Sequence, residues 1–388
     1  MRKKSSRQKA TPEVSSGTRS SRPEQVTAPG ISAEEQRRAQ AAELFTEPKL
    51  DALLVTSLPN VRYLTGFTGS NGTVVLFRDG SATLVTDPRY TLQSQQQTNC
   101  RIRIAKGPIT KTIAPVLEKA RVRRIGFEGD HMPVARFEVL RKALPSRAEF
   151  ISSTGAIEAL RMVKDAAEIE QIRASVETNS DALEAALERF EPEMTESELA
   201  AEIDYQSRRL GADGPSFDTI VAAGERAALP HAHPGAARIR RGMVLIDMGA
   251  FRNGYASDMT RMVHVGRARP QYRRMYGAVL EAQLAAIAAV RPGITAGAVD
   301  RAARSVLKKH RLDKAFMHST GHGLGLEIHE PPRLGRSEKN RLEAGMTITI
   351  EPGVYLEGWG GIRIEDTVLV TQKGCEVLTP TSKELRDI

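Results

Sequence analysis

The segment RRGMVLIDMGA, residues 240–250, decides the fold because the chain repeats it later as EAGMTITIEPG, residues 343–353. In both copies a Gly-Met pair opens an apolar run that ends in a carboxylate. A second matching segment follows each copy: SDMTRMV at 257–263 and IEDTVLV at 364–370. Short apolar runs of this length are typical of buried strands. We therefore predict two copies of one strand hairpin, related by a pseudo-two-fold axis.

Each copy of the repeat carries two carboxylates, and the pseudo-symmetry would bring all four together. They are Asp247 and Asp258 in the first copy, and Glu351 and Glu365 in the second. Acids are common on solvated strand faces, but both faces of the strand that ends at Asp247 are apolar, which predicts burial. Four carboxylates repel by about 4 kcal/mol per pair at about 4 Å, even at an effective dielectric constant of about 20. Two divalent cations would balance the four negative charges.

Each hairpin is preceded by a helix that begins with a Pro-x-x-Thr sequence. Pro192–Thr195 opens one apolar-periodic segment and Pro292–Thr295 opens the other, and both segments end in basic residues, as helix C-termini do. A longer helix is predicted over residues 165–190, where Asp165 and Glu168 can form a capping box. The sequence pattern changes at this helix, so the domain boundary is placed just before it.

The segment MHSTGHGLGLEIHEPP, residues 317–332, supplies three histidines: His318, His322 and His329. Their spacing is not that of a zinc-protease helix, and the glycines disfavour any helix here. His322 is the predicted nitrogen ligand, because the glycines around it let the backbone approach closely. An oxygen-rich set with one imidazole suits manganese, cobalt, iron or zinc. A dinucleotide-binding loop is disfavoured, because GHGLG lacks the G-x-G-x-x-G spacing.

The first part of the chain predicts an α/β domain. Residues 33–45 have a helical pattern, and five apolar or alternating segments follow, with turns and helix-like stretches between them: DALLVT, GTVVLF, SATLVT, RIRIA and RRIGFEG. The Gly-rich stretch at 60–72 lacks the GK[ST] ending of a phosphate loop, so a surface loop is predicted there. The predicted boundaries are a disordered basic tail over 1–40, an N-terminal α/β domain over 41–160 and an α+β domain with the internal repeat over 161–388.

Composition narrows the class of protein. The net charge is +9, but the first 23 residues hold seven basic residues against one acidic residue. A solvated tail is the simplest interpretation; tethering to nucleic acid or membrane, and organelle targeting, stay open. The two cysteines, Cys100 and Cys375, form no CxxC pair, which disfavours a thiolate metal cage or a disulfide framework, so we expect a reducing compartment, the cytoplasm. No apolar run reaches the roughly 20 residues needed to span a bilayer.

Six segments together resemble the pita-bread metallopeptidases, and within them the Xaa-Pro aminopeptidase and Xaa-Pro dipeptidase (prolidase) branch. They are TSLPNVRYLTGFTGSNG (56–72), PHAHP (230–234), LIDMGAFRNGYASDMTR (245–261), MHSTGHGLGLEIHEPP (317–332), TITIEPGVY (347–355) and GIRIEDTVLV (361–370). The likeness covers roughly residues 45–385. It implies an N-terminal α/β domain of the creatinase/prolidase type, followed by an α+β pita-bread catalytic domain with an internal pseudo-two-fold repeat.

The resemblance implies two divalent metal ions per subunit, held by Asp247, Asp258, His322, Glu351 and Glu365. Asp258 and Glu365 would bridge the ions. Manganese is the first expectation, with cobalt, zinc or iron as alternatives. The implied reaction is hydrolysis of the N-terminal Xaa-Pro peptide bond by a metal-bridging hydroxide. Glu351 would also accept a proton from the water and pass it to the proline nitrogen.

The resemblance also implies roles for residues beside the ligands. His231 and His329 would hydrogen-bond the substrate and stabilise the charge on the tetrahedral intermediate. His318 would line the proline pocket. Arg363 would steady the carboxylates. For each of these histidines a purely structural role is the alternative.

Further expectations concern the roles of two residues and the binding partners of the protein. Tyr255 would support the carboxylate cluster, and His233 is expected to be incidental. The implied partners are small proline-containing peptides and a second copy in a homodimer, with no membrane, and with nucleic acid only through the basic tail. The open alternative is a catalytically inactive or metal-free pita-bread protein, either a binding scaffold or a creatinase-like hydrolase. Methionine aminopeptidase shares the catalytic fold but would not require the N-terminal domain.

Overall fold

The computed structural model describes residues 31–46 and 49–388. Ten α-helices lie within these residues: α1 Ala33–Glu43, α2 Leu58–Thr65, α3 Thr91–Gln97, α4 Ile109–Lys119, α5 Val134–Ala143, α6 Ala156–Arg161, α7 Ala166–Leu187, α8 Glu196–Arg209, α9 Pro270–Ala289 and α10 Ala296–Lys309. None of these described helices is long and apolar enough to cross a membrane.

Eighteen strands lie in the same described residues. They are β1 Ala52–Val55, β2 Gly72–Phe77, β3 Ala82–Thr86, β4 Arg101–Ile104, β5 Arg124–Glu128, β6 Glu149–Ser153, β7 Gly214–Pro215, β8 Ile220–Ala223, β9 Gly242–Met248, β10 Ala250–Arg252, β11 Tyr255–Ala256, β12 Met259–Val265, β13 Thr347–Ile350, β14 Gly353–Leu356, β15 Gly360–Arg363, β16 Asp366–Val370, β17 Cys375–Val377 and β18 Arg386–Asp387. Strands and helices alternate through the first half, as the sequence predicts.

The N-terminal domain is built on a six-stranded sheet with the order β4-β3-β2-β1-β5-β6. Strand β1 runs parallel to β5 and antiparallel to β2. Because side chains alternate across a strand, Ala52 and Leu54 of β1 pack with α4 and α5 on one face. Leu53 and Val55 pack with α1 and α2 on the other face. Both faces of the sheet are therefore covered.

The second face of this sheet also reaches the C-terminal domain. Leu324 and Leu326, in the segment 317–332, belong to the same apolar cluster as Leu53 and Val55. Tyr255, from the tip of the first hairpin, joins them. The N-terminal domain therefore packs on the segment that carries the three histidines.

The C-terminal domain contains the two predicted hairpins. In the first copy β9 pairs antiparallel with β12, and Asp247 lies opposite Thr260. In the second copy β13 pairs antiparallel with β16, and Ile350 lies opposite Asp366. Helices α7 and α8 pack on the first hairpin, and α9 and α10 on the second. The prediction of a repeated hairpin is confirmed.

Side-chain caps explain where the helices of this domain begin. Asp165 accepts the amide of Glu168, and the Glu168 carboxylate accepts the amide of Asp165, which completes the capping box of α7. Thr195 and Glu198 do the same for α8. Thr295 is the N-cap of α10 without a side-chain hydrogen bond. The sequence signals therefore place all three helix starts.

Two predictions about the N-terminal part are wrong. Helix α1 begins at Ala33, inside the segment assigned to the tail over 1–40, because Ser32 and Glu35 form a capping box there; residues 1–30 of that tail lie outside the described residues. The surface-loop prediction for 60–72 is wrong for residues 60–65, which belong to helix α2 and bury Leu64 fully. Gly66, in the left-handed conformation with φ 76°, caps the helix, and a loop follows up to β2.

Candidate active site

The two hairpins place four carboxylates at equivalent points. Asp247 lies near the end of β9 and Asp258 directly precedes β12, while Glu351 directly follows β13 and Glu365 directly precedes β16. In an antiparallel hairpin the end of one strand lies beside the start of the next, so each hairpin brings its own two acids together. The pseudo-two-fold repeat then brings the two pairs to one place. Ligand atoms of Asp258, His322 and Glu365 lie within 4.8 Å of one another.

Close backbone packing holds His322 beside these acids. The His322 amide donates to Thr349 Oγ1 at 3.1 Å, and the Thr349 amide donates to the His322 carbonyl at 2.8 Å. A Cβ on Gly321 would lie 1.9 Å from the Thr349 carbonyl oxygen, and one on Gly323 would lie 2.2 Å from the Pro331 carbonyl oxygen. Only glycine fits at either position. The GHG sequence is therefore required by the packing that delivers the imidazole.

The His322 ring presents one nitrogen to the carboxylates. Its Nδ1 lies 3.0 Å from the Gly323 carbonyl oxygen, which fixes the proton on Nδ1. Nε2 then faces Asp258 Oδ2 at 3.5 Å and Glu351 Oε1 at 3.4 Å. Burial lowers the pKa of His322, so the ring is neutral and its Nε2 lone pair is free. This is the form of histidine that binds metals.

The four acids crowd one another in a buried place. Burial raises the pKa of Asp258 well above its usual range, and the charges of Glu365 and Asp247 raise it further. Burial likewise raises the pKa of Glu365, with Glu351 and Asp247 adding to the effect. Burial also raises the pKa of Glu351, against the opposing charges of His318 and Arg363. A site that favours the protonated acids in this way gains strongly from a cation.

The hydrogen-bonding capacity of the cluster is also incomplete. Asp247 Oδ1 and Glu365 Oε1 are buried and have no hydrogen-bond partner among the described residues. Buried oxygen atoms of this kind require a donor or a cation. Four carboxylates and one neutral imidazole form a donor set that suits divalent ions of the manganese-to-zinc series. The residues present therefore fit a pair of divalent metal ions.

Arg363 is the cation that the chain itself supplies. It forms a buried ion pair with Asp247 Oδ2. Its Nε donates to Thr260 Oγ1 at 3.0 Å, and the Thr260 hydroxyl donates to Glu365 Oε2 at 2.7 Å. Its Nη1 donates to the Tyr355 hydroxyl at 2.6 Å. One arginine thus orients two of the four acids, directly and through a threonine.

The expected support from Tyr255 is not found, and a different tyrosine lies at the site. The Tyr255 hydroxyl donates to Glu168 Oε1 at 3.1 Å, at the domain interface. The Tyr355 hydroxyl lies between Arg363 and His318, 2.9 Å from His318 Nε2. Sequence reasoning missed Tyr355, although it ends the quoted TITIEPGVY segment. Tyr355 lies on β14, which pairs antiparallel with β15, and Arg363 is the last residue of β15. The register of this hairpin is the signal that could have predicted their contact.

Two cavities flank the carboxylates and share three histidines. A cavity of about 630 Å³ is lined by His318, Glu351, Arg363 and Arg333, among others. A smaller cavity of about 210 Å³ is lined by Asp247, Asp258 and Glu365, together with Phe217, Ile220 and Ala232. His231, His322 and His329 line both cavities. A substrate that spans the cavities would therefore cross the carboxylates.

The histidines predicted to face the substrate occupy different settings. The His329 ring packs on His322 with centroids 4.4 Å apart. His231 is exposed, and the carbonyl of the preceding Pro230 accepts a hydrogen bond from Arg363 Nη1 at 3.3 Å. His318 Nδ1 lies 4.0 Å from Glu351 Oε2. His233, for which no role was expected, also lines the smaller cavity.

Comparison with known proteins covers both domains. The creatinase/prolidase N-terminal domain matches residues 37–163, and metallopeptidase family M24 matches residues 170–372. The chain belongs to metallopeptidase family M24. It is 37% identical over 354 residues to the Xaa-Pro dipeptidase of Pyrococcus furiosus. The aligned region covers 90% of this chain and 99% of that protein.

Solved structures of M24 relatives share the architecture. The Xaa-Pro dipeptidase from Bacillus anthracis superposes with a TM-score of 0.88 at 35% identity. The superposed region covers 92% of this chain and 100% of the Bacillus chain. The X-Pro aminopeptidase from Thermotoga maritima gives a TM-score of 0.85 at 33% identity, covering 90% of this chain and 100% of its own. The predicted fold, an N-terminal creatinase-type domain and a pita-bread domain, is confirmed. The chain is a metallopeptidase by family, and the family implies divalent metal ions.

Proposed function

We propose that this M24 peptidase hydrolyses the bond between an N-terminal residue and proline. The observation that carries the proposal is the buried cluster of Asp258, Glu351 and Glu365 beside the His322 imidazole, with Asp247 in the wall of the same cavity. The Xaa-Pro activity in the names of the Pyrococcus and Bacillus relatives supports the choice of substrate. The domains are proposed as above, with the N-terminal domain beginning at α1.

Asp247, Asp258, His322, Glu351 and Glu365 would hold two divalent ions. Ions bound there supply Lewis-acid chemistry, lowering the pKa of water and polarising the scissile carbonyl. Manganese is proposed first, and cobalt, zinc and iron suit the same donor set. Arg363 holds Asp247 in place, and Thr260 holds Glu365.

Glu351 is the proposed proton carrier of the reaction. Thr349 Oγ1 donates to its Oε1 at 3.2 Å, and its Oε2 faces His318. Burial raises the pKa of Glu351, which suits a group that accepts a proton and releases it within one cycle. Glu351 would take the proton of the attacking water and deliver it to the proline nitrogen as the peptide bond breaks. His231 and His329, on the shared wall of both cavities, would donate hydrogen bonds to the substrate and to the developing oxyanion.

The larger cavity suits the proline side of the substrate. His318 in its wall would contact the proline ring, and the Arg333 guanidinium would bind a free C-terminal carboxylate. This arrangement favours dipeptides over longer peptides. The smaller cavity, with apolar side chains from Phe217 and Ile220, would take the side chain of the first residue. We also propose a homodimer that acts in the cytoplasm on small proline-containing peptides.

The test is a substrate and metal series on one preparation. Metal-stripped protein is assayed before and after addition of Mn²⁺, on Ala-Pro, on Ala-Pro with an amidated C-terminus, on Ala-Pro-Ala and on Ala-Ala. Metal-dependent cleavage of Ala-Pro but not Ala-Ala is expected, with slower cleavage of the amide. Equal activity without metal would indicate a creatinase-like hydrolase instead. No metal uptake and no hydrolysis would indicate a binding scaffold.

A further inference from the structure

A buried ion cluster joins the link between the two domains to the segment that ends in His329 and Glu330. Arg161 is the last residue of α6, and Lys164 lies between α6 and α7. Lys164 Nζ lies 3.0 Å from Glu330 Oε2, and Arg161 Nη2 contacts Glu330 Oε1. Each of the three side chains is only 2% exposed. A buried ion group of this kind is seldom more stable than apolar residues of equal volume, so stability alone is a weak reason for it.

The cluster is tied to the N-terminal sheet on one side. Arg161 Nη1 donates to Asn60 Oδ1 at 2.6 Å, and Asn60 Nδ2 donates to Glu128 Oε1 at 2.7 Å. The other oxygen of Glu128 accepts the amides of Thr56 at 2.5 Å and Ser57 at 2.7 Å. A continuous chain of buried hydrogen bonds therefore runs from the ends of β1 and β5 to Arg161.

On its other side the cluster determines where His329 lies. The Glu330 amide donates to the Gly323 carbonyl at 2.8 Å, and the Gly323 amide donates to the Glu330 carbonyl at 2.9 Å. His329 precedes this pairing, and its ring rests on the neighbouring His322. Within the described part of the chain, the His329 ring nitrogens make no hydrogen bond, so backbone placement and this ring contact orient the ring. Anchoring Glu330 therefore anchors His329.

We propose that Arg161 and Lys164 are positioning residues that act through Glu330 to hold His329 in the geometry that turnover requires. Through these contacts the N-terminal domain affects kcat at the active site of its own chain. The inference rests on the proposed function, because the substrate-facing role of His329 is proposed there. Arg161 and Lys164 line neither cavity, whereas Glu330 lies in the wall of the larger one.

The first test compares Glu330→Gln with Glu168→Gln as a matched control. Glu168 is also a buried carboxylate at the domain interface, 4% exposed and 3.3 Å from Arg37, but it lies on α7 and adjoins no histidine. With Ala-Pro and Mn²⁺, E330Q is expected to lower kcat by about 10- to 100-fold, since misplacement by about 1 Å can cost 100-fold. Metal content should stay at the wild-type level, and E168Q should leave kcat unchanged. Equal losses in the two variants would overturn the proposal.

A double-mutant cycle then asks whether Glu330 acts through His329. His329→Ala is combined with E330Q, and kcat of the double variant is compared with that of H329A alone. The expected result is no further loss, because the residue being positioned is already gone. A full further loss in the H329A background would overturn the proposal. Arg161→Lys, which keeps the charge and removes the forked geometry, is the second variant if E330Q does not fold.

A structural readout separates this inference from the substrate assignment. Crystal structures of wild type and E330Q are compared at the His329 ring, whose centroid lies 4.4 Å from that of His322. A displaced or multiply placed ring in E330Q supports the positioning role even if the wild type cleaves no Xaa-Pro peptide, which would defeat only the proposed function. An unmoved, singly placed ring would overturn the inference whatever the substrate is.

Discussion

At the scale of single residues, the site combines one fixed cation with an excess of negative charge. Arg363 neutralises Asp247, while Asp258, Glu351 and Glu365 form no ion pair with a lysine or arginine in the described part of the chain. The excess of negative charge acts on Asp258: burial raises its pKa, and the charges of Glu365, Asp247 and Glu351 raise it further. Bound cations would therefore favour the ionised form of these carboxylates.

Replacement of Asp258 by Asn tests the metal assignment. The amide keeps the shape but removes a charged ligand from the centre of the carboxylate cluster, so bound metal and peptide hydrolysis should both be lost. Metal content by mass spectrometry and cleavage of Ala-Pro are the measurements. The control is H329A, which should slow turnover and leave metal content intact. Retention of both metal and activity in D258N would show that the dinuclear assignment is wrong.

Tyr355 gives a second prediction for a single residue. Tyr355→Phe removes the hydroxyl that accepts from Arg363 Nη1 and contacts His318 Nε2. Leaving these groups without that partner should cost about 1–3 kcal/mol of unfolding free energy and lower kcat, with metal content unchanged. Burial raises the pKa of Tyr355 to about 12, so the hydroxyl stays protonated and the loss should be the same at pH 6 and pH 9. A loss that varies with pH would contradict this role.

At the scale of secondary-structure elements, an arginine paired with a buried acid contacts each of the segments that carry His231, His318 and His329. In two of the pairs the acid lies on a helix: Glu196–Arg226 for the segment after His231, and Asp300–Arg304 for His318. In the third pair the arginine ends a helix, and Arg161 contacts Glu330 next to His329. Arg304 Nη2 donates to the His318 carbonyl at 2.5 Å, and Arg226 Nη2 donates to the His233 carbonyl at 2.7 Å. These segments are irregular, so side chains supply the hydrogen bonds that a helix or sheet would otherwise provide.

Helix α7 offers a prediction about the elements themselves. Asp165 caps it and also pairs with Arg37 Nη2 at 2.7 Å. Asp165→Ala should lower the free energy of unfolding by about 1 kcal/mol, whereas Asp165→Asn keeps a cap and should cost much less. Urea unfolding measures both, and kcat should not change. If Asn were as damaging as Ala, the partly exposed ion pair would outweigh the cap.

The sequence predicts those elements whose pattern is local. The two hairpins and the starts of α7 and α8 are confirmed, because short apolar strands and capping boxes are encoded within a few residues. Helix α2 is the exception, because the glycines at its C-terminal end suggest a loop and its burial depends on packing against α1 and β2.

The supporting groups around the site were harder to predict. Tyr355 was missed in favour of Tyr255, because contact with Arg363 depends on how β14 pairs with β15. The ion pair of Arg161 with Glu330 joins residues far apart in the chain, and no local sequence pattern predicts it. The ligand set and the substrate-side histidines stay predictions, which the experiments above test.

At the scale of the whole molecule, the two domains share buried charge as well as an apolar interface. Burial alone would raise the pKa of Glu330, but the charges of Lys164 and Arg161 outweigh it and hold that pKa below its ordinary value of 4.5. Glu168, at the same interface, behaves in the opposite way: burial raises its pKa despite the charge of Arg37. The two carboxylates should therefore respond oppositely to pH.

The last prediction follows from this opposition. A carboxyl group whose folded-state pKa is lowered stabilises the protein above its unfolded-state pKa, and that contribution disappears as the pH falls through the folded-state pKa. The stability of wild type relative to E330Q should therefore be constant from pH 7 to about pH 5 and shrink below about pH 4.3, the unfolded-state pKa of Glu. For E168Q the sign reverses, because a raised folded-state pKa gives stability that is present at low pH and lost as the pH rises. Urea midpoints of the three proteins between pH 3.5 and pH 7 measure both differences. Parallel curves for E330Q and E168Q would mean that Glu330 does not depend on Arg161 and Lys164 for its charge.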